Sequence, residues 1–254
     1  MKRAKNLVDR RRKDVLDLLK NEPTISPEEI SKRMEVSALT IRRDLQYWET
    51  KHRIQRHYGG AKIIQLFSVA HNELSEIEDH KHRIAKKACE FIEDGDTIFI
   101  NTSTTALLIL EYIKDKKVNV ITNNANAVFI QKDFKVSVIL TGGELREPKE
   151  SMTGEFALSN LSKVSANKCF IGCSGISGEV GLTTAVLAEV AINELMLKQC
   201  TGQSYVLADS TKVGHNHSFV SSSLRKINTL ITDEHARKIE CELIEAKGVT
   251  IIKV

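Results

Sequence analysis

From residue 96 to residue 254, short β-rich runs alternate with helical stretches, and this alternation restricts the fold more than any other feature. The runs are nearly all apolar, as is typical of strands whose two faces are both buried. The pattern predicts a mostly parallel α/β sheet, Rossmann-like, with helices on both faces. The predicted strands are residues 96–101, 118–122, 136–140, 168–173, 203–208, 228–232 and 249–254. The predicted helices lie near residues 80–93, 104–114, 124–131, 154–163, 187–199 and 234–247.

The first 62 residues show three helical segments instead. Apolar spacing indicates a helix over about residues 7–20. Ser26 is an N-cap, with Pro at the next position and Glu29 three residues later, and this capping box starts a second helix that runs to about residue 34. Ser37 caps a third helix.

An extended pair follows the three helices, over residues 53–58 and 61–64. Gly59-Gly60 between its two halves is a two-residue turn signal, so the pair is predicted to be a β-hairpin. Three helices and a hairpin make a winged helix-turn-helix. The predicted domains are 1–64 for this module, 65–80 for a linker and 81–254 for the α/β domain.

Charge is distributed unevenly between these domains. Residues 1–62 hold 16 Lys/Arg against 9 Asp/Glu, a net charge of +7, and the remainder holds 21 against 24, a net charge of −3. A small basic module joined to a mildly acidic one is typical of a nucleic-acid-binding protein.

The third helix has two distinct faces. Ile41, Leu45 and Trp48 recur at helical spacing and define the core side, and Arg43 projects almost opposite to them. In a helix-turn-helix the second helix enters the major groove by its N-terminal end, where an Arg can bond a guanine through two hydrogen bonds. Leu39 is predicted either to contact a thymine methyl or to pack on a neighbouring helix. The residues of this segment predicted to contact a double-stranded DNA operator are Ser37, Ala38, Leu39, Thr40, Arg42, Arg43, Gln46 and Tyr47.

The hairpin carries further cations. Arg53, Arg56, His57 and Lys62 suit contact with phosphates or with the minor groove. We therefore predict that they belong to the DNA interface.

Residues 30–61, ISKRMEVSALTIRRDLQYWETKHRIQRHYGGA, resemble the N-terminal signature of the DeoR-type bacterial transcriptional regulators. The likeness lies in V-S-x-x-T-I-R-R-D-L and in the closing G-G-A. It extends over about residues 7–62, and the order of short motifs over about 80–233 is similar to that family's sensor module. The resemblance implies a DNA-binding repressor, usually oligomeric, whose larger domain binds a phosphorylated sugar or related metabolite and has a fold akin to ribose-5-phosphate isomerases.

The residues themselves indicate where such a ligand would lie. In open parallel α/β sheets, ligands bind beyond the carboxyl ends of the strands. The segments that follow five predicted strands are rich in Gly, Ser, Thr and Asn. Hydroxyl groups at the start of a helix suit a phosphate, and Lys212 offers a positive charge to an anionic group. Asp209 would hold Lys212 or accept from a hydroxyl. The predicted effector-binding residues are Asn101, Ser103, Thr104, Thr105, Thr122, Asn123, Gly142, Gly143, Gly175, Asp209 and Lys212.

One departure from the family pattern concerns the loop after the first strand. Family members commonly have an acidic residue there and a Gly in the following loop, whereas this chain reads NTSTT over 101–105. Asn101 has an amide where the family commonly has a carboxylate, so a ligand would not encounter a negative charge at this position.

A sugar-phosphate isomerase is the alternative function. Isomerisation needs a general base, usually a carboxylate, near the substrate carbon. The loop at residues 172–175 offers none, and the next carboxylate along the chain is Glu179. We therefore predict a sensor with no catalytic residue.

Other features bound the class of protein. No apolar run reaches the roughly 18 residues of a membrane helix, and the N-terminus lacks the centre of a signal peptide, so a cytoplasmic protein without membrane contact is expected. The five cysteines include no CxxC pair and read as reduced packing thiols. We predict no metal and no cofactor.

A dimeric helix-turn-helix protein binds two half-sites of its operator, so a homodimer or homotetramer is expected. The effector is expected either to weaken or to strengthen DNA binding.

Overall fold

The computed structural model of the protein describes residues 11–12, 14–19, 22, 25–50, 54–57, 60–63, 73–147 and 149–254. The chain divides into two compact units, Met1–Leu74 and Ser75–Val254. Each unit has its own hydrophobic core. The two are called here the N-terminal unit and the C-terminal unit.

In the N-terminal unit, three helices precede a hairpin. The elements are α1 (residues 11–12 and 14–19), α2 (Pro27–Met34), α3 (Ala38–Thr50), β1 (Ile54–His57) and β2 (Gly60–Ile63).

The predicted capping box starts α2. Ser26 Oγ accepts from the Glu29 N–H, and the Glu29 carboxylate accepts from the Ser26 N–H at 3.1 Å. The helix ends where Glu35 adopts a left-handed conformation with φ 53°, and its N–H donates to the Ser31 carbonyl. This residue turns the chain sharply and lets α3 start three residues later.

The hairpin differs from the prediction by its turn. His57 pairs with Gly60 in an antiparallel ladder, so Gly60 belongs to strand β2 and not to the turn. The predicted turn Gly59-Gly60 is therefore wrong at its second position.

The core of this unit combines apolar packing with one buried acid. Its buried apolar residues are Val15, Leu19, Ile25, Ile30, Ile41, Leu45, Ile54 and Ala61. Asp44 on α3 is buried and accepts from Arg11 Nε at 2.6 Å and Arg12 Nε at 3.2 Å. Trp48 Nε1 donates to the Arg12 carbonyl at 2.7 Å. These bonds fix α1 across α3.

The C-terminal unit contains the predicted alternation. Its strands are β3 (Thr97–Ile100), β4 (Val118–Thr122), β5 (Val136–Leu140), β6 (Glu144–Arg146), β7 (Ser151–Thr153), β8 (Ala166–Gly172), β9 (Gly175–Ser177), β10 (Gly181–Thr184), β11 (Cys200–Leu207), β12 (Phe219–Ser222), β13 (Thr229–Thr232) and β14 (Thr250–Lys253). Its α-helices are α4 (Glu73–Cys89, which starts just before the boundary), α5 (Thr104–Leu107), α6 (Ile109–Tyr112), α7 (Gly154–Leu161), α8 (Leu187–Gln199) and α9 (Lys238–Glu245).

In the described part of this unit, seven strands form one sheet in the order β14-β13-β11-β8-β3-β4-β5, and every neighbouring pair is parallel. The chain builds the sheet outward from β3 to β5 and then resumes on the other side of β3 with β8. This is the doubly wound, Rossmann-like order, and the point of reversal lies between β3 and β8. The predicted parallel α/β fold is confirmed.

Apolar cores cover both faces of the sheet. Because successive strand residues point to opposite faces, Phe99 enters one core, and Ile98 and Ile100 enter the other. The first core includes side chains of α7, α8 and α9, and the second includes side chains of α4, α5 and α6. Both-face burial explains why the strands read as continuous apolar runs.

Several elements were not predicted. Strands β9, β10 and β12 form a small antiparallel sheet, and β6 pairs with β7 in a hairpin. The predicted helix at 124–131 is instead a 3-10 helix over Ala125–Phe129. Helix α4 begins at Glu73, so residues 73–80 of the predicted linker are helical.

None of the helices in the described part of the chain combines the length and the apolar character that membrane crossing requires.

Candidate nucleic-acid interface and effector site

Helix α3 presents the two faces that its sequence predicts. Ile41 and Leu45 are fully buried, whereas Leu39, Arg42, Arg43 and Gln46 are exposed. These four exposed side chains are called the recognition face. Leu39 is 60% exposed, so most of its side chain is accessible for contact with a base.

The N-terminus of α3 is capped by hydroxyls. Ser37 Oγ accepts from the Thr40 N–H at 3.2 Å and lies 2.8 Å from Thr40 Oγ1. Ser37 is exposed, and Ala38 and Thr40 are partly exposed. The hydroxyls and the helix N-terminus thus lie at one surface, where a phosphate oxygen would find donors.

The two adjacent arginines differ. Arg42 Nη2 donates to Glu28 Oε1 at 2.7 Å, in an ion pair whose side chains are 61% and 55% exposed. Arg43 is exposed and makes no hydrogen bond or ion pair with any described residue. A surface ion pair stabilises by only about 0–1 kcal/mol, so Glu28 holds Arg42 weakly.

Tyr47 has a different environment from the recognition face. Its ring lies 3.7 Å below the Arg12 guanidinium and contacts the edge of Trp48 at 5.1 Å. The side chain is part of the α1–α3 contact and only partly exposed, so a major role in base contact is not supported.

Some predicted DNA contacts lie outside the described residues. These are Arg53 and the side chains of Arg56, His57 and Lys62. The backbone of β1 and β2 shows that positions 56, 57 and 62 fall within the hairpin strands.

In the C-terminal unit, the reversal of strand order brings two loops together at the carboxyl ends of β3 and β8. These loops, residues 101–103 and 173–174, are called the switch-point loops. In folds of this order the crevice at this position is where ligands bind. Ser103 lies here and caps α5, its Oγ accepting from the Ala106 N–H at 3.3 Å. The backbones approach so closely that a Cβ on Gly172 would lie 2.0 Å from Ser103 Oγ.

Asn101 joins the two strands. Its Nδ2 donates to the Gly172 carbonyl and to Asn193 Oδ1, each at 2.9 Å. Its Oδ1 accepts from the N–H groups of Gly172 at 3.0 Å and Ser103 at 3.2 Å. An amide has two donor hydrogens and two acceptor lone pairs, and all are used. In this arrangement the predicted contact between Asn101 and the effector would require one of these bonds to open.

The same geometry accounts for the departure from the family pattern. A carboxylate at position 101 would place negative oxygen against two acceptors, the Gly172 carbonyl and Asn193 Oδ1. Only an amide satisfies both, so Asn101 and Asn193 fit each other.

Other predicted effector residues are also internal. Thr122 and Asn123 are fully buried, the first accepting from the Asn124 N–H and the second donating to the Met152 carbonyl. Gly143 has φ 115°, and a Cβ there would lie 2.5 Å from the Thr153 carbonyl. A Cβ on Gly175 would lie 2.3 Å from the His215 carbonyl. The close approaches at Gly143 and Gly175 hold the loops in shape, and Asn123 Oδ1 is buried without a hydrogen-bond partner among the described residues.

Gly142, Thr104 and Thr105 have intermediate roles. Gly142 has φ 68°, a left-handed conformation that favours glycine, and nothing closer than 3.9 Å to an added Cβ. Thr104 is partly exposed at the start of α5. Thr105 is buried, and its hydroxyl has no hydrogen-bond partner among the described residues.

Asp209 and Lys212 form an ion pair beyond β11. Lys212 Nζ lies 2.7 Å from Asp209 Oδ2, and the Thr211 hydroxyl donates to Asp209 Oδ1, so Asp209 both holds the lysine and accepts from a hydroxyl of the protein. Burial raises the pKa of Asp209, but the charge of Lys212 and hydrogen bonds from Lys212 and Thr211 outweigh it, so the pKa is lowered overall. Nearby, burial raises the pKa of the Cys173 thiol to about 12, so it stays protonated.

Glu189 is a carboxylate that the sequence interpretation missed. It is buried in the first turn of α8, where its oxygens accept from Thr184 Oγ1 at 2.7 Å and from Thr102 Oγ1 at 3.2 Å. Lys149 Nζ, on a half-exposed side chain, lies 3.2 Å from it. Glu189 and Asn193 occupy the buried stripe of α8 with Met196, and polar residues on an apolar stripe are the signal that identifies them.

A separate groove of about 530 Å³ runs between α7 and α8, lined by residues such as Ser162 and Lys198. Lys198 is at the end of α8 that leads into β11, next to the amino edge of the sheet. The groove therefore lies away from the switch-point loops, and we do not assign the effector to it.

Comparison with known proteins decides the family. A family model described as the DeoR-like helix-turn-helix domain matches residues 11–66, and one described as the DeoR C terminal sensor domain matches residues 76–234. The chain belongs to the DeoR family.

Full-length relatives of this DeoR-family chain are named regulators. The HTH-type transcriptional repressor GlcR of Bacillus subtilis (strain 168) is 31% identical over 245 residues, covering 94% of this chain and 93% of the relative. The lactose phosphotransferase system repressor of Lactococcus lactis subsp. lactis is 33% identical over 232 residues, covering 88% and 90%. Ribose 5-phosphate isomerase A from Methanocaldococcus jannaschii is a solved structure with a partial likeness, at TM-score 0.39, 18% identity, and 53% and 54% coverage.

The DeoR-family chain is thus a DNA-binding transcriptional regulator, as predicted, and not an enzyme. Glu189 places a carboxylate beside the switch-point loops. The relatives are nevertheless named as transcriptional repressors, which decides against the isomerase alternative.

Proposed function

We propose that this regulator is a repressor that binds its operator as a homodimer or homotetramer through α3 and is controlled by a phosphorylated sugar at the switch-point loops. The observation that carries the DNA-binding half is the recognition face. There Arg43, which has no partner among the described residues, and the weakly paired Arg42 lie opposite the buried Ile41 and Leu45. Exposed guanidinium groups on the second helix of a helix-turn-helix suit guanine and phosphate.

The effector half of the proposal rests on the groups that remain available near the switch-point loops. Ser103 and Thr104 present hydroxyls at the start of α5, and Lys149 and Lys212 each carry a positive charge on a partly exposed side chain. Hydroxyls and cations together suit an anionic, polyhydroxylated ligand. The relatives' names support a sugar-related signal, since one is a lactose phosphotransferase system repressor.

Oligomerisation is supported by large apolar side chains left exposed in the C-terminal unit. Phe134, Phe156 and Leu187 are 90%, 79% and 64% exposed. Apolar surface of this kind commonly marks an interface between subunits.

The DNA-binding half is tested with Arg43→Ala, against Arg225→Ala as the matched control, because Arg225 is an exposed arginine of the other unit. An operator is first selected from genomic fragments. Fluorescence anisotropy is then expected to show a loss of affinity of about 5- to 150-fold for Arg43→Ala, as follows from about 1–3 kcal/mol for a bidentate guanine contact. The control retains wild-type affinity. Equal affinities for all three proteins would disprove the assignment of α3.

The effector half is tested separately by thermal-shift screening of a panel of phosphorylated sugars on the full chain. A ligand that raises the Tm of the wild type is expected to lose that effect in Lys212→Met, which removes the charge. Operator affinity measured with and without the same ligand gives the sign of regulation. A stabilising ligand that acts equally on wild type and Lys212→Met would place the effector elsewhere.

A further inference from the structure

A cluster of metal-ligating side chains lies in the C-terminal unit, apart from the switch-point loops. Glu76 and His80 come from α4, and His235 follows β13. Their potential ligand atoms all lie within 4.8 Å of one another. His235 Nε2 is 3.8 Å from a Glu76 carboxylate oxygen, and the rings of His80 and His235 stack with centroids 5.1 Å apart at 20°.

The chain brings these groups together in a simple way. Glu76 and His80 are four residues apart on one helix, so their side chains project from the same face. His235 sits just beyond the carboxyl end of β13, held there because its N–H donates to Asp233 Oδ1 at 3.0 Å. The other oxygen of Asp233 accepts from the Ser210 N–H at 2.6 Å, so the Asp233 carboxylate is rigidly placed.

His80 is the buried member of this cluster, at 5% exposure. Its Nδ1 is buried without a hydrogen-bond partner among the described residues, and it lies 3.4 Å from Asp233 Oδ1, just beyond the usual 2.7–3.2 Å of an N–H···O bond. A small movement would let an Nδ1–H donate to Asp233, which leaves Nε2 as the nitrogen with a lone pair for a metal ion.

We propose that Glu76, His80 and His235 bind a divalent transition-metal ion, with zinc as the best match, and that Asp233 orients His80. Imidazole and carboxylate ligands in a two-to-one set suit zinc. A histidine that binds a metal through one nitrogen usually donates the other N–H to a carboxylate, and Asp233 stands beside His80 for that role. The sequence interpretation predicted no metal, because it looked for cysteine spacing and not for Glu and His four residues apart.

The distances are compatible with this ion. Zinc–ligand bonds of about 2.0–2.1 Å in a tetrahedron place ligand atoms roughly 3.4 Å apart, so the present separations must close by about an ångström or slightly more. The Glu76 and His235 side chains are 61% and 63% exposed and are free to make that movement, whereas His80 stays in place. Exposure on that side also provides the entry path, and three protein ligands leave a fourth position for water or an anion.

The test uses the full chain, prepared without a histidine tag and stripped of metal with a chelator. Zn²⁺ affinity is measured by competition with a chromogenic chelator, and Co²⁺ absorption in the visible range reports the coordination geometry. The wild type is expected to bind one Zn²⁺ per chain and to give the absorption of a tetrahedral Co²⁺ site.

Two exposed ligands provide the decisive variants, because changing them leaves the core intact. His235→Gln is expected to weaken Zn²⁺ binding by at least about 100-fold and Glu76→Gln by at least about 10-fold, since loss of a mere outer-shell partner already costs about 10–100-fold. The matched controls are His217→Gln and Asp79→Asn, which alter an exposed histidine and an exposed acid of α4 outside the cluster.

The controls should retain wild-type affinity and the Co²⁺ spectrum. Wild-type binding no tighter than that of His235→Gln, or equal losses in the controls, would overturn the proposal. Its outcome is independent of the proposed operator and effector, because the readout is metal binding alone.

Discussion

The recognition face and the switch-point loops use polar side chains in opposite ways. On α3, Arg43 and Gln46 are exposed, and Arg43 is unpaired among the described residues. At the carboxyl ends of β3 and β8, Asn101 is buried with all four of its hydrogen-bonding positions occupied. A surface that reads DNA keeps its donors in water until the duplex arrives, whereas a pocket inside a sheet must satisfy its polar groups before any ligand binds.

The difference predicts that equal chemical changes have unequal effects in the two regions. Substitutions on the recognition face of α3 should alter binding and leave stability nearly unchanged. Substitutions at the strand ends should alter stability first.

The largest effect is expected for Asn101→Asp. The new carboxylate would face two acceptors in a buried site, and we expect a loss of about 3 kcal/mol in the free energy of unfolding, measured with urea. Asn119→Asp, at the exposed position of β4, is the control and should change stability by less than about 0.5 kcal/mol. Equal stability of the two variants would show that the Asn101 network is not rigid.

A smaller loss in the free energy of unfolding is expected for Asp44→Asn in the N-terminal unit. The amide removes the charge from hydrogen bonds to Arg11 and Arg12, bonds that raise the pKa of Arg11. Because both arginine side chains are about a quarter exposed, we expect about 1–2 kcal/mol, measured as the free energy of unfolding. Asp14→Asn, on the exposed side of α1, should have no effect. A stable Asp44→Asn protein would mean that apolar packing alone holds α1.

The Asp209–Lys212 pair predicts a dependence of stability on pH. The pKa of Asp209 is lowered in the folded protein, so its contribution is fully present above its ordinary value of 3.8 and is lost as the pH falls through the folded pKa. Asp209→Asn should therefore reduce the steepness with which stability falls below about pH 4. Unfolding at several pH values checks this, with Asp79→Asn as control. Parallel curves for wild type and Asp209→Asn would contradict it.

The smallest change in stability is expected for Leu39→Ala. With 60% of the side chain exposed, its removal should alter the free energy of unfolding by less than about 0.5 kcal/mol. If Leu39 contacts a thymine methyl, the variant should still shift base preference in a selection from random operators. An unchanged preference together with a lowered Tm would assign Leu39 to packing.

Sequence patterns predicted the fold of the protein better than the residues of its candidate effector site. Continuous apolar runs identified all seven strands of the parallel sheet, because burial on both faces leaves a strong local signal. Strands β6, β7, β9, β10 and β12 were missed, because their sequences (ELR, SMT, GIS, GLTT and FVSS) are short and lack a continuous apolar run.

At the site, residue type alone did not distinguish a ligand contact from an internal bond. Thr122 has the expected chemistry, but its hydroxyl accepts from the nearby Asn124 N–H. Asn123 Nδ2 donates to the Met152 carbonyl, and Gly143 packs against Thr153. Glu189 and His235 escaped notice for the same reason, since their partners are far away in the sequence.

The ion pair between Arg42 and Glu28 has a consequence for how the protein searches DNA. In the free protein Glu28 serves as a decoy for the phosphate or base that Arg42 would otherwise meet, so any duplex must first outcompete a tethered anion. Every contact that Arg42 makes with DNA would include the cost of opening this pair, which is about 0–1 kcal/mol for an exposed ion pair. The cost is the same at every sequence, so Glu28 would lower the affinity for DNA slightly without changing which sequence is preferred.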